Sequence, residues 1–192
     1  RGNIRKVVVE NIPALLLRDE DVLSIEADGG NRKWFGTRNG IFVQSPDGTI
    51  EEANYNSKNS PLISNKILDL GFNSVTGEMF VITDLGIQSV RTETTGGGRS
   101  HSSNVYAFPN PVRPGYSGPI AIKGLVRDAS VKITDINGKL VYETKALGGQ
   151  ATWDGRDYNG EKAATGVYLV FSANENTSIP SDAIVTKILI VN

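Results

Sequence analysis

Short runs in which apolar and polar residues alternate fill most of the chain, and clusters of Gly, Asn, Asp and Ser separate them. Alternation with a period of two predicts β-strands that bury one face. No stretch shows the 3.6-residue period of an amphipathic helix. The pattern therefore predicts an all-β protein made of short antiparallel strands.

A segment near the start of the chain occurs twice, first at residues 21–43 and again at residues 66–90. Each copy contains a strand, a polar turn, a strand with aromatic residues, a tight turn at glycine and a further strand. The offset between the copies is 45 residues, and it rises to 46 after a one-residue insertion. The aligned pairs are Val22 with Ile67, Trp34 with Met79, Phe35 with Phe80, Thr37 with Thr83, Gly40 with Gly86 and Ile41 with Ile87.

Repeats of about 45 residues that consist of short strands are typical of β-propeller blades. Two copies cannot close a ring, because known propellers need at least about four blades. Residues 1–95 are therefore interpreted as a propeller fragment of about two four-stranded blades. Two stacked antiparallel sheets are the alternative.

Between the copies, "SPDG" at residues 45–48 predicts a type I turn, since Pro stands second and Gly fourth.

The segment "TETTGGGRSHSS" at residues 92–103 has no large apolar side chain. Its Gly, Ser and Thr content predicts a flexible linker with few contacts, which we place at residues 96–103. The single histidine of the chain, His101, lies there. It is expected to be solvated and to have no catalytic role.

Residues 104–192 contain regularly spaced strand-like runs, which predict an immunoglobulin-like β-sandwich of about seven strands. We expect its core to contain Trp153, Val167, Leu169 and Ile188. The clearest hairpin is "VKITDINGKLVYET" at residues 131–144. Its Asn-Gly pair is compatible with a two-residue type I′ turn, but Asp135 and Gly138 favour a type I turn with a glycine bulge. That register places Val131, Ile133 and Val141 on one face.

The stretch "WDGRDYNGEKAATGVYLV" at residues 153–170 raises the question of a metal site. A calcium loop of the EF-hand type needs oxygen ligands at alternating positions and a Glu at position twelve. The acids here fall at positions one and four, and Thr165 stands twelfth. The structural interpretation is favoured, in which Asp154 and Asp157 accept hydrogen bonds in turns and Gly155 and Gly160 provide positive φ. No metal or cofactor is expected.

Composition excludes several functions. The net charge of -1 offers no basic surface for nucleic acid, and no apolar run has the length of a membrane span. The absence of Cys excludes disulfides and thiolate chemistry. No catalytic residue can be named, because the acids Asp28, Asp69 and Asp84 lie near predicted turns. The chain begins with Arg1, which suggests a piece of a longer precursor.

Exposed aromatic residues can stack on sugar rings, and Trp34 and Tyr55 are the candidates for contact with a ligand. Core packing is the favoured role for Trp34, because it lies in the "KWFGT" motif of the repeat. Residues 176–178, Asn-Thr-Ser, match an N-glycosylation pattern. In a bacterial protein that match is attributed to chance, and it marks an exposed loop.

Four segments of the second half, "YAFPNPVRPG", "VKITDINGKLVYE", "WDGRDYNGEKAATGVYLV" and "TKILIVN", resemble the FlgD-like immunoglobulin domain. They are similar to the C-terminal domains of Bacteroidetes proteins associated with the type IX secretion system. The motif residues are Trp153, Asp154, Gly155, Gly160, Gly166 and Tyr168. The segment "SIEADGGNRKWFGTRNGIFV" resembles the propeller repeat of two-component regulators from the same bacteria.

The resemblance implies an exported, non-enzymatic protein at the cell surface or in the periplasm of a Gram-negative bacterium. Its implied partners are envelope proteins of a secretion complex, with lipopolysaccharide or a glycan as a further ligand. We expect the end domain to be a docking or sorting module that accepts a partner strand at a sheet edge. The glycan-sensing part of a hybrid two-component regulator and a carbohydrate-active enzyme are the alternatives.

Overall fold

The computed structural model describes residues 6–9, 12–15, 17–102, 104–173 and 184–191. These residues form β-strands and no helix, which confirms the all-β prediction. The strands are β1 (Lys6–Val9), β2 (Ile12–Leu15), β3 (Val22–Ala27), β4 (Lys33–Thr37), β5 (Ile41–Gln44), β6 (Glu51–Tyr55), β7 (Ile67–Asn73), β8 (Glu78–Thr83), β9 (Gly86–Arg91), β10 (Tyr106–Phe108), β11 (Ile120–Lys123), β12 (Ser130–Thr134), β13 (Leu140–Lys145), β14 (Gln150–Trp153), β15 (Gly166–Ala173) and β16 (Ile184–Ile190). The chain divides into two compact units, Arg1–Thr92 and Glu93–Asn192.

Two propeller-like blades make up most of the first unit. The first is a four-stranded antiparallel sheet in the order β3-β4-β5-β6, and the second has three strands in the order β7-β8-β9. The prediction of four strands in each blade is therefore wrong for the second copy within the described residues. The hairpin β1-β2 forms a separate two-stranded sheet.

The two blades bury a common apolar core. A Cβ atom at Gly36 would lie 2.7 Å from Cγ2 of Ile67, so the backbone of β4 lies directly against β7. The core is completed by residues from both blades and from the connection between β6 and β7. These are Trp34, Ile41, Val43, Leu62, Leu70, Met79 and Val81.

The two copies of the repeat have the same local structure at their tight turns. Thr37 Oγ1 donates a hydrogen bond to the carbonyl oxygen of Gly40 at 3.0 Å, and Thr83 Oγ1 does so to Gly86 at 2.9 Å. The two glycines have φ of +130° and +141°. The threonine side chain thus closes each turn where glycine is required. This equivalence confirms the repeat.

Counting back along the strands from Thr37 and Thr83 corrects the alignment of the aromatic residues. Neither β4 nor β8 has an irregularity over these positions in its pairing with the strand that follows it. The offset of 46 therefore holds along the strand, and Trp34 corresponds to Phe80. The predicted match of Phe35 with Phe80 is wrong by one residue, because the insertion lies in the turn before β8.

The turn at residues 45–48 is as predicted. The N–H of Gly48 donates to the carbonyl oxygen of Ser45 at 2.8 Å, and Gly48 has φ of +72°. Ser45 Oγ also donates to Asp47 Oδ1 at 2.6 Å.

The described residues of the second unit form seven strands in two sheets, as a sandwich of the immunoglobulin-like type. One sheet has the order β10-β11-β14 and the other has the order β13-β12-β15-β16. The buried side chains of the core come from both sheets and their connections. They are Ala107, Val112, Ile120, Ile122, Leu125, Val126, Ala129, Val131, Ile133, Ala146, Ala151, Trp153, Ala163, Tyr168, Val170, Ile188 and Ile190.

The β12–β13 hairpin confirms the type I turn with a glycine bulge. The N–H of Gly138 donates to the carbonyl oxygen of Asp135 at 3.1 Å, and φ of Gly138 is +83°. Ile133 is opposite Tyr142, and the register shifts between Ile133 and Thr134. Val141, which was expected on the core face, is half-buried at this shift and packs against the core.

Half of the predicted sandwich core lies on the wrong face of its strand. Trp153 and Ile188 are fully buried, as expected, whereas Val167 is 39% exposed and Leu169 is only partly buried. In β15 the residues that face the core are Tyr168 and Val170. Because side chains alternate between faces, an error of one residue reverses every assignment in a strand.

The Gly-rich segment is not the contact-poor linker that its composition predicts. Thr95 forms a parallel bridge with Gly148, and Gly98 forms one with Val126. His101 is half-buried, and its Nδ1 accepts a hydrogen bond from the N–H of Val126 at 3.1 Å. The described residues of this segment therefore belong to the sandwich unit. The glycosylation pattern at residues 176–178 lies outside the described residues.

Candidate functional site

A cavity of about 380 Å³ lies in the first unit, between the strands β4 to β6 of one blade and β9 of the other. Its volume falls within the usual range of small-molecule sites. Apolar side chains form most of its wall, and polar ones lie at its rim. The lining residues are Trp34, Ile41, Tyr55, Ser60, Pro61, Leu62, Gln88, Ser89, Val90 and Arg91.

Trp34 and Tyr55 meet in this cavity. Their rings are stacked, with centroids 6.0 Å apart and an interplanar angle of 21°. Trp34 is only 4% exposed, whereas Tyr55 is 38% exposed. The main role of Trp34 is therefore core packing, and Tyr55 provides the aromatic surface that is accessible to a ligand. Contact of either ring with a ligand stays a prediction.

Trp34 is fixed by a buried carboxylate. Its Nε1 donates to Asp28 Oδ2 at 2.9 Å, and Arg32 Nε donates to the same oxygen at 2.7 Å. Asp28 Oδ1 accepts hydrogen bonds from the N–H groups of Gly30 and Arg32. This network accounts for both carboxylate oxygens of Asp28, so its structural role in the turn is confirmed.

The other two acids considered from the sequence also have local partners. Asp84, in the turn between β8 and β9, accepts from Ser64 Oγ at 2.6 Å. Asp69 lies within β7, at the register shift of that strand, and accepts from the N–H of Leu70 at 2.9 Å. Its expected place near a turn is therefore wrong. None of the three acids lines the cavity.

The polar rim of the cavity was not found from the sequence. Gln88 Oε1 accepts from the N–H of Ile63 at 2.9 Å, which holds the β6–β7 connection against β9. Arg91 is exposed, and its guanidinium lies 3.6 Å from Glu78 Oε1. These residues are distant from Trp34 in the sequence, and only the stacking of the two blades brings them to one place.

The loop that follows β14 has the structural role that the sequence favoured. Asp154 Oδ1 accepts from the N–H of Arg156 at 3.0 Å. Asp157 Oδ1 accepts from the N–H groups of Asn159 and Glu161 at 2.9 and 3.0 Å. The described residues contain no group of three or more His, Asp or Glu side chains that could hold a metal ion.

The remaining motif residues of the sandwich also have structural roles. Gly155 and Gly160 have φ of +75° and +78°, as predicted. Trp153 Nε1 donates to the carbonyl oxygen of Arg156 at 2.7 Å, so the loop closes over the buried indole. Tyr168 packs its ring edge-on against Trp153, with centroids 5.4 Å apart.

The hydroxyl of Tyr168 is also accounted for. It donates to the carbonyl oxygen of Ala164 at 2.9 Å, and burial together with the charge of Asp135 raises its pKa. Gly166, the first residue of β15, has room around it, because a Cβ there would meet no atom closer than 4.0 Å. Nothing in its surroundings requires glycine.

Comparison with known proteins first defines the class of the end domain. Residues 117–178 match the family model of the FlgD Ig-like domain. The chain as a whole is similar to PorZ, a surface component of the type IX secretion system of Porphyromonas gingivalis. The sequence identity is 31% and the TM-score is 0.65, over 99% of this chain and 25% of that chain. The chain thus spans a quarter of the length of PorZ.

Weaker structural matches include two further bacterial proteins. Latent PorU of P. gingivalis matches with 20% identity and a TM-score of 0.37, over 59% of this chain and 12% of that one. The extracellular domain of BT4673 from B. thetaiotaomicron matches with 11% identity and a TM-score of 0.33, over 94% and 26%. At these TM-scores neither match bears on function. The search of curated proteins found no match.

Within its described residues, the chain has no helix with the length and apolar character to cross a membrane.

Proposed function

We propose that this chain is part of an exported, non-enzymatic binding or scaffold protein of a Gram-negative envelope, with its sandwich unit as a docking or sorting module. The observation that carries the proposal is the similarity to PorZ, at 31% identity and a TM-score of 0.65 over nearly the whole chain. The match of residues 117–178 to the FlgD Ig-like domain supports it. Envelope proteins of a secretion complex are the proposed partners.

The docking role needs a free sheet edge. The four-stranded sheet of the sandwich, β13-β12-β15-β16, has two edges that differ. The edge of β16 is covered, because Asn110 Nδ2 donates to the carbonyl oxygen of Lys187 and its Oδ1 accepts from the N–H of Leu189. The N–H of Val112 donates to the carbonyl oxygen of Leu189 in the same strand, and its carbonyl oxygen accepts from the N–H of Val191 just beyond it. The outer edge of β13 has no strand partner among the described residues. We therefore assign strand addition to β13.

The chain contains no cysteine, so a single introduced cysteine marks one edge without interference. Glu143→Cys on β13 is compared with Lys187→Cys on the covered edge of β16. Each variant carries a photoreactive maleimide and is irradiated in an envelope extract. We expect a discrete crosslinked envelope protein from the β13 position alone. Equal crosslinking from both positions, or none from either, contradicts the docking role.

The cavity that Trp34 and Tyr55 share favours a second candidate, the glycan-sensing part of a hybrid two-component regulator. Aromatic surface beside Gln88 and Arg91 is suited to stacking on a sugar ring while hydroxyl groups take up hydrogen bonds. Calorimetric titration of the chain with envelope oligosaccharides and lipopolysaccharide tests this function. The sensor role would replace the docking role if the chain binds one of these ligands, Tyr55→Ala removes that binding, and the β13 position gives no crosslink.

A further inference from the structure

The dipeptide Asn-Gly occurs three times in the chain, at residues 39–40, 137–138 and 159–160. In this dipeptide the glycine nitrogen can attack the side-chain amide of the asparagine, because glycine has no Cβ to hinder the approach. All three asparagines lie in turns and are exposed. The sequence therefore presents three equivalent sites, and only the structure distinguishes them.

Two of the copies form the same turn. The N–H of Gly138 donates to the carbonyl oxygen of Asp135 at 3.1 Å, and the N–H of Gly160 donates to that of Asp157 at 3.0 Å. In each turn Oδ1 of the aspartate also accepts from the N–H of the asparagine and from the N–H of the residue after glycine. Attack by the glycine nitrogen has to break the same hydrogen bond in both turns, so any difference in reactivity comes from the surroundings.

The turn that contains Asn159 has further restraints. The guanidinium of Arg156 donates to the carbonyl oxygen of Gly160. Nδ2 of Asn159 lies 3.5 Å from Oδ2 of Asp157, which is a weak contact. The carbonyl oxygen of Arg156 accepts from the indole N–H of the buried Trp153 at 2.7 Å. The backbone that must rotate for the reaction is thus linked to the core of the sandwich.

Asn39 is restrained as well. Its Nδ2 donates to Oε2 of Glu20 at 3.0 Å, and its N–H donates to Oγ1 of Thr37 at 3.0 Å. Gly40 is buried, and the carbonyl oxygen of Tyr55 leaves no room for a Cβ at that position. Both the side chain and the following backbone therefore resist the rearrangement.

Asn137 has none of these additional restraints. Its side-chain amide has no hydrogen-bond partner among the described residues. A Cβ at Gly138 would meet no atom within 4 Å, and Ile136 on the other side of the asparagine is 68% exposed. This turn can open with the loss of its own hydrogen bonds alone.

We propose that Asn137 is a site of spontaneous deamidation in the folded protein. The nitrogen of Gly138 forms a bond to Cγ of Asn137, the Cγ–Nδ2 bond breaks, and ammonia leaves with the proton of the glycine N–H. Water then opens the succinimide ring at one of its two carbonyl groups, which gives aspartate or isoaspartate. This modification is independent of the docking role of β13.

The products change the hairpin between β12 and β13. Either product places a new carboxylate close to that of Asp135. In isoaspartate the backbone also gains one carbon atom before Gly138. The N–H of Lys139, which donates to Oδ1 of Asp135 at 2.9 Å, then loses its alignment. Hydrogen exchange at this N–H should therefore be faster in the modified chain.

The experiment follows the full 192-residue chain during incubation in mildly alkaline buffer. Trypsin separates the three sites into peptides that end at Lys58, Lys139 and Lys162, and mass spectrometry measures the loss of each amide. Asn137 should react about fivefold to tenfold faster than Asn39 and Asn159, the ratio expected when one further hydrogen bond has to break at the slower sites. In concentrated urea, where no turn is formed, the three rates should be similar.

Substitutions test the cause of the difference. Arg156→Ala removes the hydrogen bond to Gly160, so the rate at Asn159 should rise severalfold toward that at Asn137, while the rate at Asn137 stays the same. Arg113→Ala is the matched control, because this exposed side chain belongs to neither turn. It should change none of the rates.

The proposal is wrong if Asn39 or Asn159 reacts as fast as Asn137 in the folded chain. It is also wrong if Asn137 keeps its amide in the folded chain over a period in which the unfolded chain loses it. An Arg156→Ala variant in which Asn159 reacts no faster would contradict the assignment of the restraint to the guanidinium.

Discussion

Gly36 of β4 lies against Ile67 of β7, so that an added Cβ would be 2.7 Å from Ile67 Cγ2 and 2.8 Å from Ser24 Oγ. The two blades can approach this closely only because the position has no side chain. Both neighbouring atoms belong to short, branched or hydroxyl side chains near the backbone, which have little freedom to move aside.

Gly36→Ala should therefore lower the free energy of unfolding of the first unit by about 1–3 kcal/mol through overpacking. Gly71→Ala is the matched control, since a Cβ at Gly71 would meet no atom within 4 Å. Urea unfolding of the full chain measures both variants. If the Gly36→Ala and Gly71→Ala variants are equally stable, the blades can move apart at Gly36 without loss of stability.

The sequence was informative where structure depends on neighbouring residues. The turns at Ser45 and at Asp135 follow from the order of Pro, Asp and Gly within four positions, and the Thr37 and Gly40 turn recurs in the second copy. Strand β14 is hard to predict from the sequence, because Gln150–Trp153 is short and has polar residues at two of its four positions.

Errors arose where a distant contact decides the outcome. Periodicity cannot reveal which face of β15 meets the other sheet, so Val167 and Leu169 were assigned to the wrong face. Composition cannot reveal that the backbone at Gly97 packs against Arg127. The rim residues Gln88 and Arg91 join Tyr55 only through the stacking of two blades.

The segment at Gly97 provides a second test. A Cβ there would lie 2.6 Å from Cα of Arg127 and 2.8 Å from the carbonyl carbon of Gly148, both of which are backbone atoms. Gly97→Ala should thus either detach residues 93–102 from the sandwich or destabilise the unit by about 1–3 kcal/mol.

The N–H of Val126 donates a hydrogen bond to His101, so its hydrogen exchange reports whether residues 93–102 have detached from the sandwich. Gly166→Ala in the same unit is the control, because its Cβ would have ordinary contacts. If Gly97→Ala leaves both exchange and unfolding unchanged, the flexible linker that the composition predicts is the better description.

Metal binding by the loop after β14 is the third test. Asp154 and Asp157 already accept backbone hydrogen bonds, and a bound calcium ion would have to replace some of them. Thermal melts in calcium and in chelator should coincide. Because a ligand of the native state must raise its stability, a rise of several degrees in calcium would contradict the structural role of this loop.

The fourth test concerns Asp47 in the turn between β5 and β6. Hydrogen bonds from Ser45 Oγ and from Thr49 favour the charged carboxylate and lower the pKa of Asp47 from 3.8 to about 2. A depressed pKa in the folded state gives a stabilising contribution that is present above pH 4 and is lost as the pH falls toward 2. NMR titration of the Asp47 carboxyl carbon measures the pKa directly. Ser45→Ala should raise it toward its ordinary value, and an unchanged titration would show that the Ser45 hydroxyl does not contribute.

The last test concerns Trp153, which is fully buried between the two sheets of the sandwich. Its ring contacts Tyr168 edge-on and stacks on Tyr142 at 6.5 Å, and its N–H holds the following loop through Arg156. Trp153→Ala removes the largest buried side chain of this unit and leaves a cavity in its place. The carbonyl oxygen of Arg156 also loses its hydrogen-bond donor. The free energy of unfolding should fall by about 3–5 kcal/mol.

Such a loss is a large fraction of the stability of a domain of this size, so the second unit should unfold at a lower urea concentration than it does in the unsubstituted chain. The fluorescence of Trp34, the one tryptophan that remains, then reports the first unit alone, and circular dichroism reports both. Tyr158→Ala is the control, because that ring is mostly exposed and contacts Tyr142 only at the edge of the same aromatic cluster. A Trp153→Ala variant as stable as Tyr158→Ala would show that the indole does not anchor the sandwich.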